Sequence, residues 1–319
     1  SSDMTSVLEH TDGTDSGLKR FLATLSGVDK VGVEARAAML GTRSIKTTSK
    51  AWAIDTAISM VDLTTLEGAD TPGKVRALCE KAIRPDPTDS TVPSVGAVCV
   101  YNDLVKIART HLDENSGARI PVAAVTTAFP SGRATMAVKI RDTHDALDAG
   151  ATEIDMVIDR GAFLSGRYGE VFEEIRAIKA ICKDRAHLKV ILETGELVTY
   201  DNVKKASFLA MMAGADFIKT STGKVTPAAT PPVVLTMLEA VRDYYEMTGI
   251  RIGVKAAGGI RTTKDAIKQL VLVNETVGSQ WLSPTLFRIG ASALLNDLLL
   301  QRIKMRTGHY ASANYVTVD

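Results

Sequence analysis

Three ionisable residues stand in runs that are otherwise apolar: Lys219 in "DFIKTST", Lys255 in "GVKAAGG" and Asp155 in "EIDMVID". A lysine enclosed by apolar walls loses hydration and a second cation nearby adds repulsion, so both effects favour the neutral amine. A neutral amine attacks a carbonyl to form a Schiff base, whose protonated nitrogen is the electron sink for breaking a neighbouring carbon–carbon bond. The pattern therefore indicates Schiff-base chemistry at Lys219, near a second lysine and an acid.

Lys219 also has a plainer interpretation. Its aliphatic stem could run to the rim of a fold so that the ammonium reaches solvent, or the ammonium could pair with an acid such as Asp155. Lys255 lies on the next proposed strand and Asp155 two strands before Lys219. This grouping favours the chemical interpretation over a chance placement.

Glycine-rich segments follow the last three proposed strands. The candidate binding residues in these segments are Gly223, Lys224, Gly258, Gly259, Gly290 and Ser292. Barrel folds often bind phosphate with the loops after strands seven and eight, through backbone N–H groups and a helix N-terminus. A Gly-Gly pair can also serve only to reverse the chain, so it is the joint position of these segments that predicts a phosphorylated small substrate.

Other chemically active residue types are less informative. Asp62 in "MVDLTTL" is expected to end the first strand, where it could bind a substrate hydroxyl or simply cap a turn. Cys99 in "AVCVY" stands in the middle of a strand, where a buried inert thiol is the usual case. The five histidines are not clustered, which disfavours a metal site or a histidine-based catalyst. We therefore expect neither a metal nor an organic cofactor.

The segments that must position these residues alternate regularly along the chain. Short β-branched runs alternate with longer segments of helical period, at about the spacing of one βα unit. The expected strands are 58–64, 95–101, 120–127, 153–159, 188–194, 216–222, 251–257 and 286–292. Eight such units predict an α/β fold of the (β/α)8 TIM-barrel type, with active-site side chains at the carboxyl ends of the strands.

The barrel is expected to occupy residues 55–307. Residues 1–54 contain helical patterns and are expected to form an N-terminal helical extension packed on the barrel. Residues 308–319 are expected to be a C-terminal tail. The segment 84–94 is rich in Pro, Ser and Asp and is expected to be a surface loop.

Composition limits the classes of partner. The chain has 319 residues, 24% of them charged, and a net charge of +1, which favours neither a nucleic acid nor an anionic membrane as partner. No apolar run approaches the roughly 20 residues of a membrane span. Three widely spaced cysteines do not form a disulfide or zinc pattern. We expect a cytoplasmic protein, which could form a homodimer through the outer helices of the barrel.

Six motifs resemble those of the 2-deoxyribose-5-phosphate aldolase family, over about residues 55–310. In chain order they are "DLTTL", "ATEIDMVI", "TGEL", "DFIKTSTGK", "VKAAGGIRT" and "FRIGAS". The resemblance implies a class I aldolase, which interconverts 2-deoxyribose 5-phosphate with acetaldehyde and glyceraldehyde 3-phosphate. Its partners would be a sugar phosphate and a small aldehyde.

The same resemblance implies residue roles. Lys219 would form the Schiff base, Lys255 would lower the pKa of Lys219, and Asp155 would move protons together with Lys255 and a water. Asp62 would correspond to the aspartate of the first strand. Phosphate binding would fall to Gly223, Gly258, Gly259, Gly290 and Ser292.

The chain departs from the family pattern at several positions. Ala256 replaces the usual proline after the second lysine, and Asp159 and Arg160 lie where the family varies. Some members close a tyrosine from a C-terminal tail over the substrate. Tyr310 and Tyr315 both match that tyrosine loosely, and the sequence does not decide between them.

Two alternatives remain open at this point. One is another Schiff-base barrel, of the transaldolase or ketose-bisphosphate aldolase type, with a different carbon skeleton as substrate. The other is a sugar-phosphate-binding barrel that has lost catalysis, which would need the phosphate loops but not the lysine pair.

Overall fold

A computed structural model of the protein describes residues 11–43 and 47–308. Eight parallel strands close into a barrel in which each strand pairs with its neighbours in sequence and β1 pairs with β8. The strands are β1 (Val61–Thr64), β2 (Ala97–Tyr101), β3 (Val122–Thr126), β4 (Glu153–Val157), β5 (His187–Ile191), β6 (Phe217–Lys219), β7 (Gly253–Ala257) and β8 (Phe287–Ala291). The predicted (β/α)8 barrel is thus confirmed.

Helices separate the strands and cover the outside of the barrel. They are α1 (Asp15–Thr24), α2 (Lys30–Gly41), α3 (Thr47–Met60), α4 (Pro72–Ile83), α5 (Val105–Glu114), α6 (Met136–Asp148), α7 (Arg160–Leu164), α8 (Tyr168–Cys182), α9 (Tyr200–Met212), α10 (Pro231–Thr248), α11 (Thr263–Thr276) and α12 (Ala293–Thr307). Local sequence sets many of their ends. The Thr71 side chain accepts from the Lys74 N–H and Pro72 opens α4, while α10 ends where Gly249 takes a φ of 72°.

The first strand is shorter than the sequence pattern suggests. We expected it to start at residue 58, but α3 continues through Met60 and β1 begins at Val61. The apolar run from Ile58 to Val61 suits the inner face of a helix as well as a strand, so it could not locate the boundary. The other seven strands each fall within the expected segments or within one residue of them.

The N-terminal helices pack on outer helices of the barrel. Helix α1 contacts α8 and α9, and α2 contacts α10 and α11. The ring centroids of Phe21 and Phe208 are 6.1 Å apart, and Arg36 forms an ion pair with Glu239 at 2.8 Å. Helix α3 runs across residue 54, so the division of the chain at that point stays a prediction. Residues 309–319, with Tyr310 and Tyr315, lie outside the described residues.

Alternation along the strands divides the apolar residues between two layers. In β2, Val98 and Val100 join the large apolar core shared with the helices. Cys99 lies between them and joins a smaller cluster with Leu66, Ala123 and Val125. Successive side chains of a strand point to opposite faces, so this smaller cluster faces the barrel interior. None of the described helices is long and apolar enough to cross a membrane.

Candidate active site

Lys219 is the last residue of β6, and its side chain lies inside the barrel. The residue is 2% exposed, and its Nζ donates to Asp155 Oδ2 at 3.0 Å. Lys219 stands in register with Lys255 on β7. The Lys255 Nζ donates to the same Oδ2 atom at 2.8 Å, so the two lysine nitrogens are close neighbours.

Asp155 is shared by three lysines. Besides Lys219 and Lys255, the Nζ atom of Lys189 on β5 donates to Asp155 Oδ1 at 2.8 Å. Pairing of Lys219 with Asp155, the plainer interpretation of this lysine, therefore does occur. One carboxylate cannot neutralise three ammonium groups, so the pairing alone does not keep Lys219 charged.

The shared carboxylate affects the three groups differently. Burial and the Lys255 ammonium lower the pKa of Lys219, and Asp155 offsets this only in part. Burial acts in the same sense on Lys255, but the carboxylates of Asp155 and Asp62 outweigh it and raise the pKa of Lys255 well above the ordinary range. Burial favours the neutral form of Asp155, yet Lys189, Lys255 and Lys219 hold its pKa well below the usual value. Of the two lysines, Lys219 is thus the one whose pKa is lowered, so it gives up its proton more readily than an ordinary lysine.

Three members of the interior were missed by our sequence reasoning: Lys189, Glu153 and Arg288. All three are buried, and Lys189 lies against the site itself. The signal was present, because Lys189 in "LKVILE" and Arg288 in "FRIGA" are ionisable residues in apolar strand runs, like Lys219. Glu153 and Arg288 lie nearer the amino-terminal ends of their strands than the predicted catalytic residues, whereas Lys189 lies in register with Asp155.

Asp62 differs from its predicted position. It is the second residue of β1 rather than the last, because the strand continues through Leu63 to Thr64. The carboxylate is fully buried, with Arg288 Nη1 at 2.7 Å from Oδ1 and Lys255 Nζ at 2.7 Å from Oδ2. Both oxygens are thus engaged by protein cations, and the expected bond to a substrate hydroxyl would have to compete with them.

The glycine segments meet at the carboxyl ends of β6, β7 and β8. Gly223, Gly258 and Gly259 have φ angles of 85°, 90° and 86°, a region that favours glycine. A Cβ atom on Gly258 would lie 3.6 Å from the Gly223 Cα, so the loops after β6 and β7 touch. Gly290 pairs with Ala257 directly before these glycines.

The two remaining members of the predicted phosphate group flank these glycines. Ser292 directly precedes α12. Lys224 lies on the loop after β6, and its Nζ is 3.5 Å from Glu67 Oε1 on the loop after β1. The Lys224 ammonium is thus held near the rim of the barrel.

Glu193 is a fourth residue that the sequence pattern did not indicate. It follows β5 with a φ of 55°, is fully buried, and accepts from the Thr222 N–H at 3.1 Å and the Thr222 hydroxyl at 2.6 Å. Arg160 Nη2 lies 3.7 Å from its carboxylate. Strained backbone at a buried charged residue is typical of functional loops. Here the hydrogen bonds from Thr222 to the Glu193 carboxylate hold the segment that follows Lys219.

The fold and this interior define the chain as a (β/α)8-barrel aldolase with a lysine pair inside the barrel. The chain belongs to the DeoC/LacD family of aldolases, whose family model matches residues 56–299. The human deoxyribose-phosphate aldolase is 43% identical over 306 residues, covering 90% of this chain and 94% of that protein. The mouse enzyme of the same name is 44% identical over 307 residues, with the same two coverages.

A solved structure agrees with this assignment. The deoxyribose-phosphate aldolase of Aeropyrum pernix, described as a unique tetramer, superposes with a TM-score of 0.62 at 25% identity. The match covers 79% of this chain and 95% of that one. The shared barrel thus accounts for nearly all of that protein.

The buried carboxylates predict how stability depends on pH. Burial by itself would raise the pKa of Asp62 and Asp155. The neighbouring lysines, together with Arg288 beside Asp62, have the larger effect, so both pKa values are lowered overall. Carboxylates with a lowered folded-state pKa stabilise the fold above their unfolded pKa of about 3.9, and this contribution is lost as pH falls through the folded pKa. We expect the urea midpoint to fall steeply below about pH 4. A midpoint equal at pH 3 and pH 7 would contradict this.

Proposed function

We propose that the protein is a class I aldolase that reversibly cleaves 2-deoxy-D-ribose 5-phosphate to acetaldehyde and D-glyceraldehyde 3-phosphate through a Schiff base on Lys219. The observation that carries the proposal is the buried Lys219 amine, whose pKa is lowered by burial and by Lys255. Family membership and the named relatives support the choice of substrate. The same relatives support a lyase over a barrel that only binds sugar phosphate.

In the cleavage direction, the free Lys219 amine attacks the C1 aldehyde of the open-chain sugar. The resulting carbinolamine takes up a proton and loses water to give the protonated imine. Asp155 accepts and returns protons here, because its carboxylate lies against the nitrogens of both Lys219 and Lys255. Lys255 keeps a positive charge beside the imine throughout.

Bond cleavage follows when the C3 hydroxyl loses its proton. The C2–C3 bond breaks, its electron pair moves into the imine to form an enamine, and C3 becomes the aldehyde carbon of glyceraldehyde 3-phosphate. The enamine is then protonated at carbon and hydrolysed by water, which releases acetaldehyde and restores the amine. The Ser221 hydroxyl, buried near Lys219 and without a hydrogen-bond partner among the described residues, is available to bind a substrate oxygen.

The phosphate would bind at the loops after β6, β7 and β8. Positive φ angles at Gly223, Gly258 and Gly259 turn the backbone sharply, a conformation in which consecutive N–H groups can converge on an anion. Lys224 lies on the same loop as Gly223 and would add a positive charge, while Gly290 near the end of β8 and Ser292 directly before α12 would complete the group.

Product analysis tests the function. Incubation with 2-deoxyribose 5-phosphate should give equal amounts of acetaldehyde and glyceraldehyde 3-phosphate. Comparing acetaldehyde with dihydroxyacetone as donor in the synthetic direction separates this activity from that of a transaldolase or ketose-bisphosphate aldolase. Calorimetric binding of the sugar phosphate without product would instead support the binding-protein alternative.

Two glycines give a matched test of the phosphate loops. Alanine at either Gly258 or Gly259 would be strained by the positive φ, at about 1–2 kcal/mol. At Gly258 the new Cβ would also lie 2.6 Å from Ala228 Cβ, whereas at Gly259 no atom lies within 4 Å. We expect Gly258→Ala to raise KM for the phosphorylated sugar about tenfold or more, and Gly259→Ala to raise it less.

The unphosphorylated sugar is the control for that pair of variants. Its KM should change little in either variant, because it lacks the group that the loops would hold. Equal rises for 2-deoxyribose and its 5-phosphate, or an unchanged KM for the phosphate in both variants, would contradict phosphate binding at this place.

Assembly and compartment remain predictions. The Aeropyrum pernix enzyme is described as a tetramer. For the present chain, a homodimer through outer helices is our expectation, to be measured by light scattering. Cytoplasmic location is likewise an expectation from composition.

A further inference from the structure

Six charged side chains in the barrel interior form a closed ring of alternating sign, which we call the charge ring. In order around the ring they are Asp155, Lys189, Glu153, Arg288, Asp62 and Lys255, which returns to Asp155. Each cation bridges at least two carboxylates, and each carboxylate contacts at least two cations. Lys189 Nζ also lies 3.5 Å from Asp62 Oδ2, across the ring. Every member is at most 5% exposed.

Arg288 closes the far side of the ring. Its Nη2 is 2.7 Å from Glu153 Oε2 and its Nη1 is 2.7 Å from Asp62 Oδ1. The guanidinium lies 5.8 Å from the centre of the Phe217 ring, and its Nε donates to the Pro284 carbonyl. The Lys189 Nζ donates to Glu153 Oε1 at 2.6 Å and so connects Glu153 to the rest of the ring. Arg288 is thus fixed in orientation by contacts on several strands.

The net charge of the ring is zero, because it contains three carboxylates and three cations. This balance matters because burial of an uncompensated charge is costly. Lys219 is a seventh group outside the ring. Among the described carboxylates it contacts Asp155 alone, whose two oxygens already accept from Lys189 and Lys255. A proton on Lys219 would leave the interior with one uncompensated positive charge.

Neighbouring buried groups do not alter this balance. Burial raises the pKa of the Cys99 thiol, so this group stays protonated and uncharged at neutral pH. Glu193 is buried near the end of β5, but Arg160 lies 3.7 Å from it and compensates its charge there. The charge felt by Lys219 is therefore set mainly by the ring.

We propose that Arg288 and Glu153 are positioning residues for the reaction, which close the charge ring and together set how readily Lys219 loses its proton. Arg288 favours the free amine, and Glu153 favours the ammonium. Neither touches Lys219, and both act through Lys189, Asp62 and Asp155. The inference deepens the proposed function, because it explains what makes Lys219 a nucleophile. Replacing Arg288 and replacing Glu153 should shift the acid limb of the pH profile in opposite directions. A purely structural role of the two residues would not produce opposite shifts.

Removing Arg288 leaves the ring with one excess negative charge. In Arg288→Met this charge should hold the proton on Lys219, so the acid limb of the kcat/KM profile should move up by about one pH unit. Glu153→Gln leaves one excess positive charge and should move the same limb down by a similar amount. The double variant restores neutrality, and its limb should return towards that of the unaltered protein.

Arg288→Lys separates charge from shape. Lysine keeps the positive charge but lacks the planar fork that contacts two carboxylates at once. Its acid limb should stay close to that of the unaltered protein even if its turnover falls. Thermal unfolding of each variant identifies any that fail to fold, and Glu153→Gln alone suffices to test the sign of the effect.

Competitive acetylation with acetic anhydride reads the protonation of Lys219 without relying on turnover. Mass spectrometry follows labelling of Lys219 against pH, with the exposed Lys106 as internal standard. Opposite shifts in the two single variants support the proposal even if no sugar is cleaved, in which case the proposed function alone fails. Unshifted labelling curves in folded variants, or shifts of the same sign, overturn the proposal while leaving the function intact.

Discussion

Replacing Lys219 by alanine is expected to lower kcat for cleavage of 2-deoxyribose 5-phosphate about a million-fold, the scale seen when a covalent nucleophile is removed. The variant can still bind the sugar phosphate, because the glycine loops are unchanged. It has no amine that can reach C1 from the same place, since Lys255 stays paired with two carboxylates and Lys189 with three, and both keep their protons. Coupled detection of glyceraldehyde 3-phosphate measures the loss.

Lys139 provides a matched control for that substitution. It is also 2% exposed, but it lies on α6 outside the barrel and pairs with Glu174. Lys139→Met should lower thermal stability while kcat stays near that of the unaltered protein. Full turnover in Lys219→Ala, or an equal loss in both variants, would remove Lys219 from the mechanism.

Asp155→Asn is expected to have the second-largest effect, on turnover and on stability together. Proton transfer by a positioned side chain contributes roughly 10²–10⁴-fold, and an amide cannot replace a carboxylate in this role. The same change removes one of the two carboxylates that the Lys189 and Lys255 ammonium groups share, and only Asp62 remains between them. Breaking a buried ion pair from one side costs about 3–5 kcal/mol.

The pH profile of Asp155→Asn carries additional information. Asp155 raises the pKa of Lys219 against the effects of burial and Lys255. Its removal should therefore lower the pKa of Lys219 further and move the acid limb of the kcat/KM profile to lower pH. The maximal activity above that limb should fall, because proton transfer by Asp155 is lost. A lower maximal activity together with an acid limb moved to higher pH would contradict the assignment that Asp155 raises the pKa of Lys219.

Asp216 is the matched control for that aspartate. It accepts from Lys179 Nζ at 2.7 Å and from the Leu188 N–H at 2.8 Å, at the amino-terminal side of β6. Asp216→Asn should lower the urea midpoint with little effect on kcat. A comparable fall in kcat in both variants would indicate that stability loss, rather than proton transfer, accounts for the effect of Asp155→Asn.

The sequence contained the information for the barrel and for the lysine pair. Strand periodicity located all eight strands, and the adjacent strands of Lys219 and Lys255 bring these two residues into register. Only the start of β1 was wrong, because an apolar run at a helix–strand junction satisfies both periods. Local patterns thus sufficed for the strands and for the lysine pair, whereas the contacts of Lys189 on β5 with Glu153 and Asp155 on β4 were missed.

The rest of the interior depends on closure of the barrel. Arg288 and Asp62 are 226 positions apart in sequence, yet their side chains touch because β8 pairs with β1. Glu153 and Arg288 meet across the interior, on strands that are not neighbours. Contacts of this kind follow from the closed geometry, and no periodicity along a single segment predicts them.

Borohydride trapping tests the central claim most directly. The protein is incubated with 2-deoxyribose 5-phosphate or acetaldehyde, reduced with sodium borohydride, digested and analysed by mass spectrometry. The proposed mechanism predicts a stable two-carbon adduct on Lys219 after acetaldehyde treatment, with Lys255 and Lys189 unmodified. An adduct on Lys255 or Lys189 instead, or undiminished turnover with no adduct on any lysine, would contradict it.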